Sequence, residues 1–290
     1  MMKSQAAMEY LMTYGWAILV IAVVLAALYS LGIFNPNTFA PKASAGSCEV
    51  VRPFGPTTST DVHLEGTCTN MLPKYVASFN GYNSNISIKN QNLLIPKIFT
   101  ITLWMEPSGQ LKEANYPTLI SSSNNGYTIQ YCTNNENQGD SITYWINGTG
   151  IGGDCNIPYD SAYYNRWYFV VLTYNGANAI EYLNNKIVNE MSFSVTPTST
   201  TKIHIGTYTY TTNGFNGSIA NIEIYNKSLS ANQISALYDE GIGGDPIDLT
   251  NLVGWWPLNG NSNDYSGNNY NGKAFNVSYS STWYRTYSAP

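Results

Sequence analysis

Charge is scarce in this chain of 290 residues: Asp, Glu, Lys and Arg together make up 11% of it, with 18 acidic and 13 basic residues. Such a composition offers no basic surface of the kind that binds nucleic acid, so we expect no nucleic-acid partner. Histidine is also rare, with only His63 and His204, and no two cysteines stand in C-x-x-C spacing. The chain therefore has few of the residues that zinc sites and Ser-His-Asp or Cys-His catalytic centres require.

The four cysteines all follow the apolar N-terminal segment. An even number of cysteines outside a membrane segment suggests disulfide bonds in an oxidising compartment. Three connectivities are open, and sequential pairing is the simplest, with each bridge contributing about 3 kcal/mol in the loop-entropy model. The cysteines are Cys48, Cys68, Cys132 and Cys155, paired in that order.

One long apolar segment stands at the start of the chain. Residues 5–34 carry a single charge, Glu9, and the apolar part at 16–31 with its flanks reaches the roughly 20 residues that a membrane-spanning helix needs. Pro36 marks its end, and residues 35–47 form a linker rich in Pro, Ala and Ser. We therefore expect the membrane as a partner.

The order K-S-Q-A-A-M-E-Y-L at residues 3–11 resembles the class III signal peptide of archaeal type IV pilin-like proteins. The resemblance implies cleavage between Ser4 and Gln5, which removes a leader at 1–4, and it places Glu9 at the fifth mature position. Glu9 could then neutralise the new amino group, which is costly to bury unpaired, and it suits the helix dipole. Like subunits in a filament are the implied partners.

Two other hypotheses for this segment stay open. A plain membrane anchor would leave Glu9 in the headgroup region. A secretory signal would be cleaved at Ala43-Ser44-Ala45, although the apolar stretch is longer than the usual ~7–15 residues and an acidic residue precedes it. The pilin-type hypothesis and the plain anchor both place the C-terminal domain outside the cell, on a membrane or on a surface filament.

The remaining residues, 48–290, are predicted to form one mainly β domain, because short alternating segments recur between turn residues. One helix is expected at about 230–240, with a capping box at Ser230–Gln233, an apolar face from Ile234, Leu237 and Tyr238, and Gly241 as C-cap. The Asn184-Asn185 pair predicts a hairpin turn. The predicted strands are 75–79, 99–105, 127–132, 141–146, 167–174, 180–183, 186–188, 203–206 and 219–225.

Several segments together resemble a laminin G-like jelly roll of the concanavalin A-like lectin/glucanase superfamily. They are F-N-G at 79–81, F-T-I-T-L-W at 99–104, R-W-Y at 166–168, and the closing run from Phe215 to Tyr238. The resemblance implies a β-sandwich that hosts binding modules, enzymes or structural spacers.

Endoglucanases of this superfamily carry an E-x-D-x-x-E run, and glycoside hydrolysis needs two carboxylates about 5–10 Å apart. No such run occurs, since Glu223 is followed by Ile-Tyr-Asn with no further acid in the run. Glu181 and Glu190 straddle the hairpin turn, and we expect both on its solvent face. We therefore predict no catalytic residue, and a glycoside hydrolase is kept only as an alternative.

A carbohydrate-binding or adhesion module is the favoured function, and a purely structural filament or envelope subunit without a ligand is the alternative. Aromatic rings stack on sugars, and amide and hydroxyl groups bind sugar hydroxyls. Loops at 134–139, 159–164 and 208–213 carry both kinds of side chain. Ordinary solvated surface would explain these loops equally well.

The tail at 248–290 contains L-V-G-W-W-P-L-N-G at 252–260, which resembles the motif that normally opens a laminin G-like domain. We predict a circular permutation, in which the tail fills the first-strand position beside residues 75–79. Trp255 and Trp256 should point to opposite faces, one into the core and the other partly covered or ligand-facing. Asp264 could ligate calcium, as in related domains, or cap an Asx turn; no other cofactor is expected.

Five N-x-S/T sequons are candidate glycosylation sites, although several would arise by chance in a chain rich in Asn and Ser. They start at Asn85, Asn147, Asn216, Asn226 and Asn276.

Overall fold

A computed structural model describes residues 18–26, 49–51, 63–65, 72–89, 92–109, 116–122, 126–132, 141–151, 164–198, 202–208 and 213–288. Contacts divide the chain into two units, 1–43 and 44–290. In the first unit, residues 18–26 are helical and all nine side chains are exposed. No helix within the described ranges combines the length and the apolar character that crossing a membrane requires. The remainder of the predicted 5–34 helix lies outside those ranges.

The second unit is built from strands, and every pairing recorded between described strands is antiparallel. In chain order the strands are β1 (Glu49–Val51), β2 (His63–Glu65), β3 (Val76–Asn80), β4 (Asn85–Lys89), β5 (Phe99–Pro107), β6 (Thr118–Ser121), β7 (Tyr127–Cys132), β8 (Ser141–Ile146), β9 (Thr149–Ile151), β10 (Tyr168–Tyr174), β11 (Asn178–Leu183), β12 (Lys186–Ser192), β13 (Lys202–Ile205), β14 (Asn216–Tyr225), β15 (Leu252–Trp256), β16 (Gly272–Phe275) and β17 (Ser278–Ser280).

Two large sheets make the sandwich. The eight-stranded sheet has the order β12-β11-β10-β5-β14-β3-β17, and β15 also pairs with β14. The seven-stranded sheet has the order β16-β4-β13-β6-β7-β8-β9. β1 and β2 form a separate two-stranded sheet. The predicted mainly β sandwich is confirmed, and its strand order places non-consecutive strands side by side, as in a jelly roll.

The main core lies between the two large sheets, and strand alternation supplies it. On β5, Phe99, Ile101, Leu103 and Met105 all enter this core, as predicted. Trp104 points to the opposite face, where a second apolar cluster lies. β5 is buried on both faces, although Thr100, Thr102 and Glu106 stand on the face opposite its core residues.

The second cluster is covered by the helix Ala231–Glu240 and by the 3-10 helix Trp283–Arg285 of the tail, in which Trp283 is buried. The helix begins as predicted: the Ser230 side chain accepts from the Gln233 N–H, and the Gln233 side chain accepts from the Ser230 N–H. It ends at Gly241, whose φ of 78° suits a residue without a Cβ.

The tail joins both large sheets. β15 pairs with β14, β16 with β4, and β17 with β3. The tail therefore lies beside β3, as predicted, and it does so through β17, whereas the Trp255-Trp256 strand pairs with β14. β15 and β3 pair with the same edge of β14, one after the other. β14 is ten residues long, so it can pair with both. Permutation as the origin of this arrangement stays a prediction.

Candidate functional site

A cleft of about 200 Å3 opens on the outer face of the seven-stranded sheet. This face is turned away from the core, because the alternate residues of β7 and β8 (Tyr127, Ile129, Tyr144 and Ile146) point inward. The described residues lining the cleft are Thr128, Gln130, Trp145, Gly148, Tyr208 and Asn213.

Trp145 gives the cleft its apolar wall. It is 41% exposed on β8, next to the edge strand β9, and so large an exposed ring is unusual on a sheet surface. Across the ladder stands Gly150, where a Cβ would lie 3.3 Å from two ring carbons of Trp145. The glycine therefore lets the indole lie close to β9. The Asn147-Gly148 turn between these strands has positive φ at both residues, as hairpin turns of two residues require.

Polar groups form the rest of the lining. The Gln130 amide Nε2 donates to Thr118 Oγ1 at 3.2 Å, which fixes its orientation. Thr128 Oγ1 and Ser121 Oγ are 3.0 Å apart and share a hydrogen bond. Burial raises the pKa of Tyr208, so its hydroxyl keeps its proton at neutral pH and can donate. The main chain of Asn213 is tied to β6, because its carbonyl accepts from the Thr118 N–H at 2.9 Å.

The cleft can therefore hold a neutral, polar ring. One face of the ring would lie on the indole of Trp145, and amide and hydroxyl groups would surround its edge. None of the six described residues that line the cleft is acidic, so they offer no carboxylate pair for acid and base catalysis.

The glutamates considered for catalysis lie elsewhere, in the eight-stranded sheet. Glu190 is exposed, as predicted, but Glu181 is only 2% exposed, and its expected place on the solvent face is wrong. The hairpin turn itself is confirmed, with positive φ at Asn184 and Asn185. Glu181 lies between Ala179 and Leu183, which both enter the main core, so strict alternation along β11 turns its carboxyl into the sandwich.

Burial dominates the electrostatics of both buried glutamates. It raises the pKa of Glu181 to about 9, although a hydrogen bond from Asn189 opposes the shift. It raises the pKa of Glu223 to about 8, against hydrogen bonds that include one of 2.5 Å from the Tyr225 hydroxyl. Both carboxyls are therefore largely protonated at neutral pH.

Asp264 organises the tail loop. Its Oδ1 accepts from the N–H groups of Trp255 (3.0 Å) and Ser266 (2.8 Å), and its Oδ2 accepts from Ser266 Oγ and the Tyr270 N–H, both at 2.9 Å. The hydrogen bond to Ser266 N–H is the predicted Asx turn. Within the described residues no three His, Cys, Asp or Glu side chains gather in a way that could hold a metal ion.

Trp255 and Trp256 point to opposite faces, as predicted. Trp256 lies in the main core and donates to the Tyr270 carbonyl at 2.9 Å. Trp255 lies in the second cluster at 4% exposure, and its Nε1 donates to Asn221 Oδ1 at 2.7 Å. The expectation that one of the two is only partly covered or faces a ligand is therefore wrong.

The sequons differ in accessibility. Asn226 and Asn276 are exposed, and Asn147 and Asn216 are half-buried. Asn85 is 3% exposed, which leaves no room for a glycan on the folded domain. Use of the other four sequons stays a prediction.

Several predicted positions lie outside the described residues, namely Ser4, Gln5, Glu9, Cys48, Cys68 and Cys155. The backbone of Cys132 is described in β7, but its side chain is not, so the disulfide pairing stays a prediction. Of the three candidate binding loops, the ends of the 208–213 loop are described, and both Tyr208 and Asn213 reach the cleft.

Sequence reasoning missed Trp145 as a site residue. The signal was present, because Trp145 alternates with Tyr144 and Ile146 in a predicted strand and stands just before an Asn-Gly turn. A tryptophan on the face opposite two core residues is a candidate binding surface.

Comparison with known proteins concerns the fold. A family model of laminin G-like domains, described as the concanavalin A-like lectin/glucanases superfamily, matches residues 80–235, more than half of the chain. No curated protein gives a significant match.

Among solved structures, a protein from Bacteroides ovatus ATCC 8483 that is inferred to bind carbohydrate is similar, with a TM-score of 0.53 and 16% identity over 76% of this chain and 66% of that one. A SAP-like pentraxin from Limulus polyphemus gives a TM-score of 0.45 and 14% identity, over 59% of this chain and 84% of that one. The receptor-binding domain of botulinum neurotoxin C/D mosaic serotype gives 0.42 and 16%, over 64% and 50%. At these identities the likeness concerns the fold alone.

Proposed function

Because the chain belongs to the concanavalin A-like lectin/glucanases superfamily, we propose that its β-sandwich is a non-catalytic carbohydrate-binding module. The observation that carries this proposal is the exposed indole of Trp145 in a cleft that otherwise presents amide and hydroxyl groups. Sugar rings have one apolar C–H face and a polar edge, and this cleft offers a partner to each.

The size of the cleft favours recognition of a single sugar ring. Its 200 Å3 lies below the roughly 300–1,000 Å3 of sites that enclose drug-sized ligands. A binding site that holds one ring of a longer chain leaves the rest of the glycan outside, as surface adhesion requires. Adhesion to a glycan-bearing surface is therefore the role that we propose.

A glycan array with the full chain in a non-ionic detergent, followed by titration of the best binder, tests the proposal. Trp145→Ala should weaken binding at least about tenfold, because removing a central aromatic contact costs about 2 kcal/mol or more. Tyr284→Ala is the matched control, since Tyr284 is 54% exposed and its neighbour Trp283 belongs to the second cluster, on the eight-stranded sheet. Equal binding by the Trp145→Ala variant, or silence across the array, would instead favour a structural coat without a ligand. Release of reducing ends would support the hydrolase alternative.

We further propose that the N-terminal segment attaches the domain to a membrane or to a filament of like subunits, which places the domain outside the cell. Residues 18–26 support this, because they are helical, entirely apolar and exposed, and such a surface needs lipid or a neighbouring helix around it. The cleavage hypothesis predicts a mature protein that starts at Gln5. N-terminal sequencing of the native protein tests it, and a start at Met1 or at Gly46 contradicts it.

A further inference from the structure

The two large sheets differ in their ionisable residues. No Asp or Glu occurs in any strand of the seven-stranded sheet, whereas the strands of the eight-stranded sheet carry Glu106 and Glu190 and the two buried, largely protonated glutamates Glu181 and Glu223. The seven-stranded sheet instead carries three lysines, Lys89 in β4, Lys202 in β13 and Lys273 in β16. A chain with a formal net charge of -5 thus has one sheet with the opposite sign.

All three lysines lie on the outer face, at the edge formed by β16, β4 and β13. Their sequence neighbours, such as Ile88 and Ile203, enter the core, so alternation turns the lysines outward. Lys89 stands directly opposite Lys202, and Lys273 stands opposite Ser87. All three side chains are exposed. Like charges directly across a sheet repel one another, so this edge concentrates positive charge on the outer face.

The lysine edge and the cleft share one face and one register. A single cross-strand row runs through Lys273, Ser87, His204, Ser121, Thr128, Trp145 and Gly150. Trp145 and Lys273 are five strands apart, which is about 24 Å at a strand spacing of about 4.8 Å. The centre of the row is buried at Ser121 and Thr128, so the two exposed ends are separate contact points on one surface.

We propose that the carbohydrate bound by this face is an acidic polysaccharide, with one sugar ring in the Trp145 cleft and its anionic groups on Lys89, Lys202 and Lys273. This rests on the proposed function. A polysaccharide is long enough to reach both ends of the row and to pass over the covered centre. Its carboxylates or sulfates supply the negative charge that opposed lysines favour, and lysine ammonium groups pair with either as point charges.

A matched pair of ligands separates charge from shape. The probes are a galacturonate hexamer and its fully methyl-esterified form, titrated against the full chain in a non-ionic detergent. We expect the acid to bind more tightly than the ester, and we expect this advantage to shrink as salt rises from about 0.05 to 0.5 M, because screening shortens the range of exposed charges.

Two substitutions locate the effect. Lys89→Gln and Lys273→Gln should each lower the affinity for the acid roughly two- to fivefold, as expected for exposed ion pairs, and leave the ester unchanged. Lys186→Gln is the matched control, because Lys186 is an exposed lysine at the edge of the eight-stranded sheet. Trp145→Ala should weaken both ligands.

The outcomes distinguish the two proposals. Binding of both probes that depends on Trp145, with no preference for the acid or no effect of the lysines, overturns the acidic ligand and leaves carbohydrate binding intact. Binding of the acid that does not depend on Trp145, or equal binding of a DNA oligomer of the same charge, shows general polyanion binding and also overturns it. Failure of both probes and of every glycan on the array contradicts the proposed function itself.

Discussion

Glu181 shows how one residue can make the stability of this domain depend on pH. It lies inside the sandwich at 2% exposure, and its Oε1 has no hydrogen-bond partner among the described residues. On the opposite sheet, the Tyr144 hydroxyl is buried as well, and its pKa is raised by burial and then by the charge of Glu181. Neither group is well placed to stabilise a charge on the other, so the carboxyl is kept protonated.

The sign of the effect follows from linkage. The folded pKa of Glu181 is about 9, above the ordinary value of 4.5, so the folded state keeps a proton that the unfolded state releases. The protein is therefore most stable, as far as this residue is concerned, below about pH 4.5, and it loses stability as the pH rises toward 9.

Glu181→Gln removes this titration and preserves the shape. We expect the variant to match the parent within about 1 kcal/mol at pH 5 and to exceed its free energy of unfolding by about 4–5 kcal/mol at pH 8, because pH 8 lies about 3.5 units above the ordinary pKa of 4.5 and each unit corresponds to ~1.4 kcal/mol. Urea unfolding at the two pH values measures this. Glu190→Gln, on the adjacent strand and exposed, should change stability by less than about 0.5 kcal/mol at either pH. A loss for Glu181→Gln that is equal at both pH values would mean that its carboxyl is not protonated.

At the scale of elements, short sequence patterns correctly predicted the helix ends and the hairpin turn, which local interactions determine. The capping box at Ser230 and Gln233, the Gly241 end of the helix and the Asn184-Asn185 turn each depend on a few consecutive residues, and the structure confirms all three. Strands with strict alternation were predicted for the same reason, because one buried face repeats every second residue.

Pairing between distant elements was less accessible to sequence reasoning. Glu181 was predicted on the solvent face because it stands near a hairpin turn, whereas it alternates with the core residues Ala179 and Leu183 and lies under the opposite sheet. The partner of the Trp255-Trp256 strand depends on how far β14 extends beyond β3, which no local pattern records. The cleft likewise combines β7 and β8 with residues more than 60 positions later. The sequence indicated the 208–213 loop as a candidate, but it did not show that this loop lies beside β7 and β8.

At the scale of the whole molecule, several buried carboxyls act in the same direction as Glu181. Burial raises the pKa of Glu223 to about 8, and burial and then Glu240 raise the pKa of Asp245 to about 6. Two groups act in the other direction. Burial and then Lys202 lower the pKa of His204, and hydrogen bonds from Asn251 and Lys227 lower the pKa of Asp248 despite its partial burial.

These shifts together predict a domain that is more stable in mildly acidic than in alkaline solution. Between about pH 6 and pH 8, the folded state holds protons on Glu181 and Glu223 that the unfolded state has released. We therefore expect the free energy of unfolding to fall by about 1.4–2.7 kcal/mol per pH unit in this window, because one to two protons are released. Below about pH 6 the lowered pKa of His204 opposes the trend, because its folded form resists the proton that the unfolded form takes up.

Calorimetric unfolding in buffers of different ionisation enthalpy measures the release of protons directly: between one and two protons should leave per molecule at pH 7. A stability maximum above pH 8, or an uptake of protons at pH 7, would contradict the buried, protonated state of these glutamates.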